Sequence, residues 1–505
     1  MNNFKKWLCL SLSALLLSSS VAVFAGCAKT DDDPANDTGG TTVAEDNTAE
    51  VDNRFQGVNY DGREFRVYTS TNIASAGMGN SNFLIEGTGE TAGGLVNDAV
   101  VARNVMVEEL LGVELVFTQI DLDYTQVSGN LTKFTSSGTD DFDLVINDIW
   151  AFAEMTIGNH FRNVLNEDCV FDFDRPYWYK DYMEDLRFME DYQTVLAGDY
   201  FIDVLRSAHL LLLNKQMYTD YTNRPADELY DTVSNFEWTY DKMYEVISNK
   251  YDDKNRNNVR DAGDQYGLLE MNNWGGHIPF MVSGTTYFDR DETGAPMLII
   301  QEGDRANVLV SKISALYNND STSETSDQSL LPAFVNEECL MVGYQRLGSL
   351  ENTILRQMEG DIAVLPYPML FESDQKYITS THDTTEMGTI LTTVKDLEFV
   401  STVIEVLNRE TANILMPKYY RECLQVQCVD DEKASAMIDI IHDNFDNAFV
   451  LAYNQTLNAC ILDSVYDAVE QGREFSAVFA GRSKSVTKAL DNMIVRFEKH
   501  NTKDR

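Results

Sequence analysis

From Arg54 onward, short apolar runs alternate with stretches of helical period, and this alternation restricts the chain to an α/β architecture. Glu64–Tyr68 reads as a strand closed by the polar loop Thr69–Asn72. An amphipathic helix follows over Asn97–Leu111, with Val100, Val101, Val105, Leu110 and Leu111 at helical spacing. Val113–Thr118 makes a second strand, Val127–Ser136 a helix, and Asp143–Ile146 a third strand opening onto Asn147, Asp148, Ile149 and Trp150. Ligands of open α/β sheets sit outside the carboxyl ends of strands, so 68–72 and 147–150 are the first candidates for a binding wall. Further apolar runs at 194–198 and 207–214 and a proline-broken strand at 361–368 read as crossovers between two lobes. The last third is helical over 397–410, 433–444, 458–471 and 484–499.

A chain of 505 residues has room for two or three folding units. Lysine and arginine number 39 against 81 aspartates and glutamates, a net charge of −42. A field of that sign repels phosphate backbones and anionic lipid, which excludes nucleic acid as a partner and charge as a means of membrane attachment.

The N-terminus supplies another means. Lys5 and Lys6 precede an apolar run from Trp7 to Phe24, closed by Ala25, Gly26 and Cys27. Residues 1–26 read as a lipoprotein signal peptide, and Val23–Cys27 resembles the bacterial lipobox, in which the cysteine is acylated with palmitate-like chains. Such chains contribute about 0.8 kcal/mol per buried CH₂, enough together for stable anchoring. Residues 27–53 then form an acidic tether, whose eight acids and single lysine leave too little apolar surface to fold. No later apolar run approaches the length of a transmembrane helix. Of seven cysteines, Cys9 leaves with the signal and Cys27 takes lipid. Cys169, Cys339, Cys423, Cys428 and Cys460 remain, an odd number without metal-site spacing.

Several segments in order carry a resemblance. They are the lipobox and tether; Asn97, Asp98, Ala99 and Val100 with Arg103 and Asn104; Asp143–Val145 with Gly158; Pro176–Trp178; Leu213–Lys215; Glu237–Asp241; and Leu365–Pro368. Together they resemble the extracellular solute-binding proteins of ABC importers, in the large sugar-binding family related to maltose-binding protein. The resemblance implies a two-lobed, Venus-flytrap α/β fold with a helical C-terminal region. Residues 54–205 and 361–415 would form lobe one, and 206–360 and 416–505 lobe two. It further implies capture of a carbohydrate, with an oligosaccharide favoured, by hinge closure, and delivery to the transmembrane subunits of a permease. The expected protein is a monomer held by Cys27 on the outer face of the bacterial cell membrane, with no cofactor for function.

A sugar presents C–H faces to aromatic rings and paired hydroxyls to carboxylates, amides and guanidinium groups. Candidate contacts are Tyr68, Thr71, Asn72, Asn147, Asp148 and Trp150 from the first wall. Trp274, His277, Tyr344, Arg346 and Tyr367 are the candidates from the second lobe and the crossover. Tyr177 and Trp178 read as packing residues, and Trp238 as a staple beside a cap at Thr239.

One loop has a different chemistry. Asp253, Asn255, Asn257, Val259, Asp261 and Asp264 place oxygen at the spacing with which a tight loop wraps Ca²⁺, Val259 through its carbonyl. Asn258 stands where such loops carry glycine, and Asp264 where they carry a bidentate glutamate. Catalytic signatures are missing: there is no HExxH, GxSxG, P-loop or dinucleotide fingerprint. Binding without bond chemistry is therefore the expectation. A glycoside-processing enzyme with an acid pair, or a surface interaction protein stabilised by the Ca²⁺ loop, are the alternatives.

Overall fold

The computed structural model describes residues 53–71, 83–87, 94–122, 124–272, 274–300, 304–325, 330–358, 360–425 and 432–501. The signal peptide, Cys27, the tether up to Asp52, Asn72 and Cys428 lie outside the described residues, as do the side chains of Thr71, Trp274 and Cys423.

The strands in chain order are β1 Arg63–Thr71, β2 Val113–Asp121, β3 Leu144–Asp148, β4 Val195–Leu196, β5 His209–Asn214 and β6 Tyr266–Met271. There follow β7 Phe288–Arg290, β8 Pro296–Leu298, β9 Thr322–Thr325, β10 Cys339–Arg346, β11 Ile362–Leu365 and β12 Glu386–Thr389. They form two five-stranded sheets, ordered β2-β1-β3-β12-β4 and β11-β5-β10-β6-β9, with β7 and β8 as a separate hairpin. In the first sheet β1 pairs parallel with β2 and β3, while β12 runs antiparallel to β3 and β4. In the second, β6 pairs parallel with β9 and β10, while β5 runs antiparallel to β10 and β11.

The reversed strand in each sheet is the one that arrives from the other sheet. The chain leaves the first sheet after β4 and enters the second as β5; it leaves after β11 and returns as β12. The two connections lie side by side: Ala208 bridges Thr381, the His209 N–H donates to Ser380 O, and the His382 N–H donates to Ser207 O. This corrects the expected boundary at 361. The apolar run Ile362–Leu365 pairs with β5 in the second sheet, and the crossing comes afterwards, through Pro366–Thr385. The prolines end the strand because they lack the ladder N–H.

Both sheets are covered by helices. β3 and β5 are buried along their whole length, as their unbroken apolar runs require for strands enclosed on both faces. The helix Leu95–Leu111 ends at Gly112, whose φ of 61° is a left-handed cap that glycine adopts without cost. Arg103 of this helix is fully buried and donates to Tyr200 O, Ile85 O and Thr411 Oγ1, tying together three segments that are far apart in the chain.

The expected C-terminal helices are present as Leu397–Glu410, Glu432–His442, Cys460–Glu470 and Ser483–Asn501. They do not belong to one lobe: Cys460–Glu470 packs on helices Trp274–Val282 and Arg305–Tyr317, while Ser483–Asn501 packs on Ile149–Ile157 beside the first sheet. Tyr177 and Trp178 pack as expected, both donating to the buried Glu405, at 2.8 and 2.9 Å. Trp238 is buried with its indole N–H on Pro366 O, and the Thr239 hydroxyl caps the helix Tyr240–Ile247. No helix among the described residues is long and apolar enough to cross a membrane.

Candidate ligand site

The site is built where β3 and β10 end and β5 begins, close to the paired connections. β3 passes directly into the helix Ile149–Ile157, and Asp148 is its N-cap, accepting the Trp150 N–H at 2.7 Å. The cap holds Trp150 at the helix mouth, half-buried, on the wall of a cavity. From the second sheet, β10 contributes Tyr344. Its register against β5 shifts between Val342 and Gln345, and Tyr344 takes a left-handed φ of 52°. An irregular strand residue of this kind re-aims a side chain, and here the ring turns to the cavity.

The connections supply the polar groups. His209 opens β5, Thr381, His382 and Asp383 come from the return crossing, and His277 comes from the helix Trp274–Val282. The Tyr344 hydroxyl lies 3.0 Å from His382 Nε2, and His382 Nδ1 lies 2.9 Å from Thr384 Oγ1. His209 Nδ1 meets Ser380 Oγ at 3.0 Å, while its Nε2 has no hydrogen-bond partner among the described residues. Asn454 Oδ1 is likewise without a partner among them. Met281, Leu451 and Leu462 complete the apolar lining, with Gln455 beside Asn454. The cavity is partly open to solvent.

Burial sets the charge state. It pushes His277 down to about 4 against the opposing pull of Asp383. It holds His209 well below the usual imidazole range, assisted by His382 and Arg346. Burial alone would raise Asp383, but His382, His277 and Arg346 outweigh it and keep the carboxyl below its ordinary value. The cavity thus offers two aromatic faces, the His209 and His277 imidazoles that burial keeps from protonating, the His382 imidazole, amides, and one carboxylate among its described lining residues. That set suits hydrogen bonding to a neutral polyhydroxylated ligand. It lacks the two facing carboxylates of glycoside hydrolysis among those residues.

Of the residues expected from the sequence, the structure brings Trp150, His277 and Tyr344 together on this cavity. Others serve the scaffold. Tyr68 is fully buried, donates to Asn130 Oδ1 at 2.8 Å and meets Phe134 and Phe142 edge to face. Asn147 and Asp148 are fully buried, the first accepting the Asp148 N–H and the second capping the helix. Arg346 is buried with its guanidinium 6.0 Å from the Tyr344 ring centroid, a support for that ring rather than part of the lining. Tyr367 is buried too, its hydroxyl accepting the Tyr344 N–H and donating to Glu270. Asn147, Asp148 and Tyr367 share a cause: each accepts a backbone N–H that has to be satisfied before the side chain can serve a ligand.

Sequence reading missed His209, His382, Asp383, Asn454 and Gln455. The histidines have no spacing that links them, and only the pairing of the two connections makes them neighbours. The Asp253–Asp264 loop lies between the helix Tyr240–Ile247 and β6, and none of its residues lines the cavity.

No protein-family model matches the chain, and no curated protein matches it either. Solved structures do. The ABC substrate-binding protein Lmo0181 of Listeria monocytogenes, in complex with cycloalternan, aligns over 86% of this chain and 98% of its own at 12% identity, with a TM-score of 0.50. A cyclo/maltodextrin-binding protein complexed with maltotetraose aligns over 88% and 100% at 10% identity, with a TM-score of 0.52. The chain shares their fold.

Proposed function

We propose that this protein is the extracytoplasmic solute-binding component of an ABC importer, which takes up a carbohydrate between its two sheets and hands it to a membrane permease. The observation that carries the reading is the convergence of Trp150, Tyr344 and His277 with both inter-sheet connections on one cavity. A ligand there touches the first sheet, the second sheet and the segments that join them. Binding energy is then coupled to the angle between the sheets, which is the requirement for a closure that a permease can read. The fold neighbours bind cycloalternan and maltotetraose, and the stacking faces and neutral donors here suit a ligand of the same class.

Entry of the sugar uses a change in the angle between the sheets about the paired connections Ser207–His209 and Ser380–His382, which stay bonded to one another as the hinge. An oligosaccharide rather than a monosaccharide, and anchoring through acylated Cys27, belong to the same proposal. The test is a thermal-shift screen against mono- and oligosaccharides. A ligand at 100 times its dissociation constant stabilises the native state by about 2.7 kcal/mol. A saturable shift with one sugar class, and recovery of the sugar unchanged, supports the reading; no response to any sugar overturns it.

A further inference from the structure

The loop between the helix Tyr240–Ile247 and β6 is folded around Asp253, Asp261 and Asp264, which have no cationic partner among the described residues. Asp253 accepts the backbone N–H groups of Asn257 and Asn258, at 3.2 and 2.8 Å. Asn255 Oδ1 accepts the Asn257 N–H, and Asn257 Oδ1 the Val259 N–H. Asn258 has a φ of 60°, so the position that normally needs glycine is held by a residue that tolerates the left-handed region. The Asn255 and Asn257 amide nitrogens both donate to the Asp261 carboxylate, at 2.8 and 2.7 Å. Of the nearby cations, Lys254 pairs with Asp252, Arg260 donates to Thr322 O while lying over the Tyr251 and Tyr266 rings, and Arg256 is exposed in the loop.

Asp264 is the buried acid of the loop. It is 1% exposed, and its Oδ2 accepts the Asp261 N–H and the Tyr251 hydroxyl, which holds the carboxylate against the loop. Its Oδ1 has no hydrogen-bond partner among the described residues. A buried carboxylate oxygen left in that state is costly unless something positive meets it.

We propose that this loop binds a divalent cation of the Ca²⁺ class through Asp253, Asn255, Asn257, Asp261, Asp264 and the Val259 carbonyl. The donors are all oxygen, which disfavours zinc and copper, and the loop is irregular and adaptable, which suits Ca²⁺ better than the strict octahedron of Mg²⁺. Among the described residues no three His, Cys, Asp or Glu side chains already converge as metal ligands. Binding therefore requires Asn255 and Asn257 to turn their amide oxygens inward and release Asp261. The cation would act as a staple. Lys250 and Tyr251 N–H groups donate to Ser321 Oγ and Asp252 bridges Gln265, so the loop joins the helix Tyr240–Ile247 to β6 and β9 at its feet.

Tyr251 and Tyr266, with ring centroids 5.5 Å apart, stand beside Asp264 and make the test optical. Tb³⁺ is titrated into the full chain, purified in detergent, with tyrosine excitation, and is then displaced by Ca²⁺ or Mg²⁺. The expected result is saturable sensitised emission at one ion per chain, displaced by Ca²⁺ at far lower concentration than by Mg²⁺, together with a melting temperature that falls when chelator is added. Asp264→Asn and the exposed variant Asn257→Ala should each weaken binding about tenfold or more, as loss of an oxygen ligand does. If Asp264→Asn does not fold, Asn257→Ala decides alone. Absence of saturable emission, or emission unchanged in Asn257→Ala, overturns the proposal. Neither result bears on sugar binding, which is read at a different site.

Discussion

His442 Nε2 lies 3.0 Å from Asp199 Oδ1, joining the last turn of the helix Glu432–His442 to the turn that follows β4. Tyr179 donates to the same Asp199 oxygen at 2.8 Å, and His442 Nδ1 lies 2.7 Å from Asp443. Burial alone would lower the imidazole, but the Asp199 charge and the two carboxylate hydrogen bonds outweigh it and push it up to about 10. A group raised in this way binds its proton more tightly in the folded chain. Its contribution is complete below the ordinary value of 6.5 and fades as pH rises through about 10. His442→Gln should therefore cost about 3 kcal/mol near neutral pH. The gap to the parent, followed by denaturant unfolding at stepped pH, should close toward strongly alkaline pH.

Trp150→Ala removes a stacking face from the cavity while leaving the Asp148 cap, which acts on backbone, in place. Affinity for the sugar found in the screen should fall about tenfold or more, which is ~1.4 kcal/mol. Tyr68→Phe loses only its hydrogen bond to Asn130 and should cost about 1 kcal/mol of stability with affinity unchanged. Calorimetric titration of both variants separates cavity from core.

Glu270 is buried beneath Tyr367 on β6, and burial pushes its carboxyl up to about 8 against the Met271 N–H and the Tyr367 hydroxyl. The folded chain holds this proton and the unfolded chain releases it above 4.5, so stability falls as pH rises from there to about 8. Glu270→Gln keeps the shape without the charge. It should match the parent in acid and exceed it by roughly 2 kcal/mol or more in mild alkali. Melting curves across that range check the sign.

Gly388 sits in β12 between β3 and β4, where an added Cβ would collide with the Tyr200 hydroxyl. That hydroxyl donates to Leu196 O at 2.7 Å and cannot withdraw freely. Gly388→Ala should destabilise by about 1–3 kcal/mol. Adding Tyr200→Phe should recover part of the loss, measured as the coupling term of a double-mutant cycle.

Periodicity alone determined the element types and much of their order. The strands at 64–68, 113–118 and 143–146 and the four C-terminal helices follow from spacing, because a strand or helix must bury a continuous face. The position of Trp150 at the end of a strand and the mouth of a capped helix is local information, legible from 143–150 alone.

Tertiary structure decided what lies far apart in the chain. The pairing of Ser207–His209 with Ser380–His382 brings His209, His382 and Asp383 onto one cavity across more than 170 residues, through backbone hydrogen bonds that no sequence period encodes. It also decided that Tyr68, Asn147, Asp148 and Tyr367 serve the scaffold. Polar side chains at strand ends are drawn to the nearest unsatisfied backbone group or core partner, and only the packed neighbours show which demand each one meets.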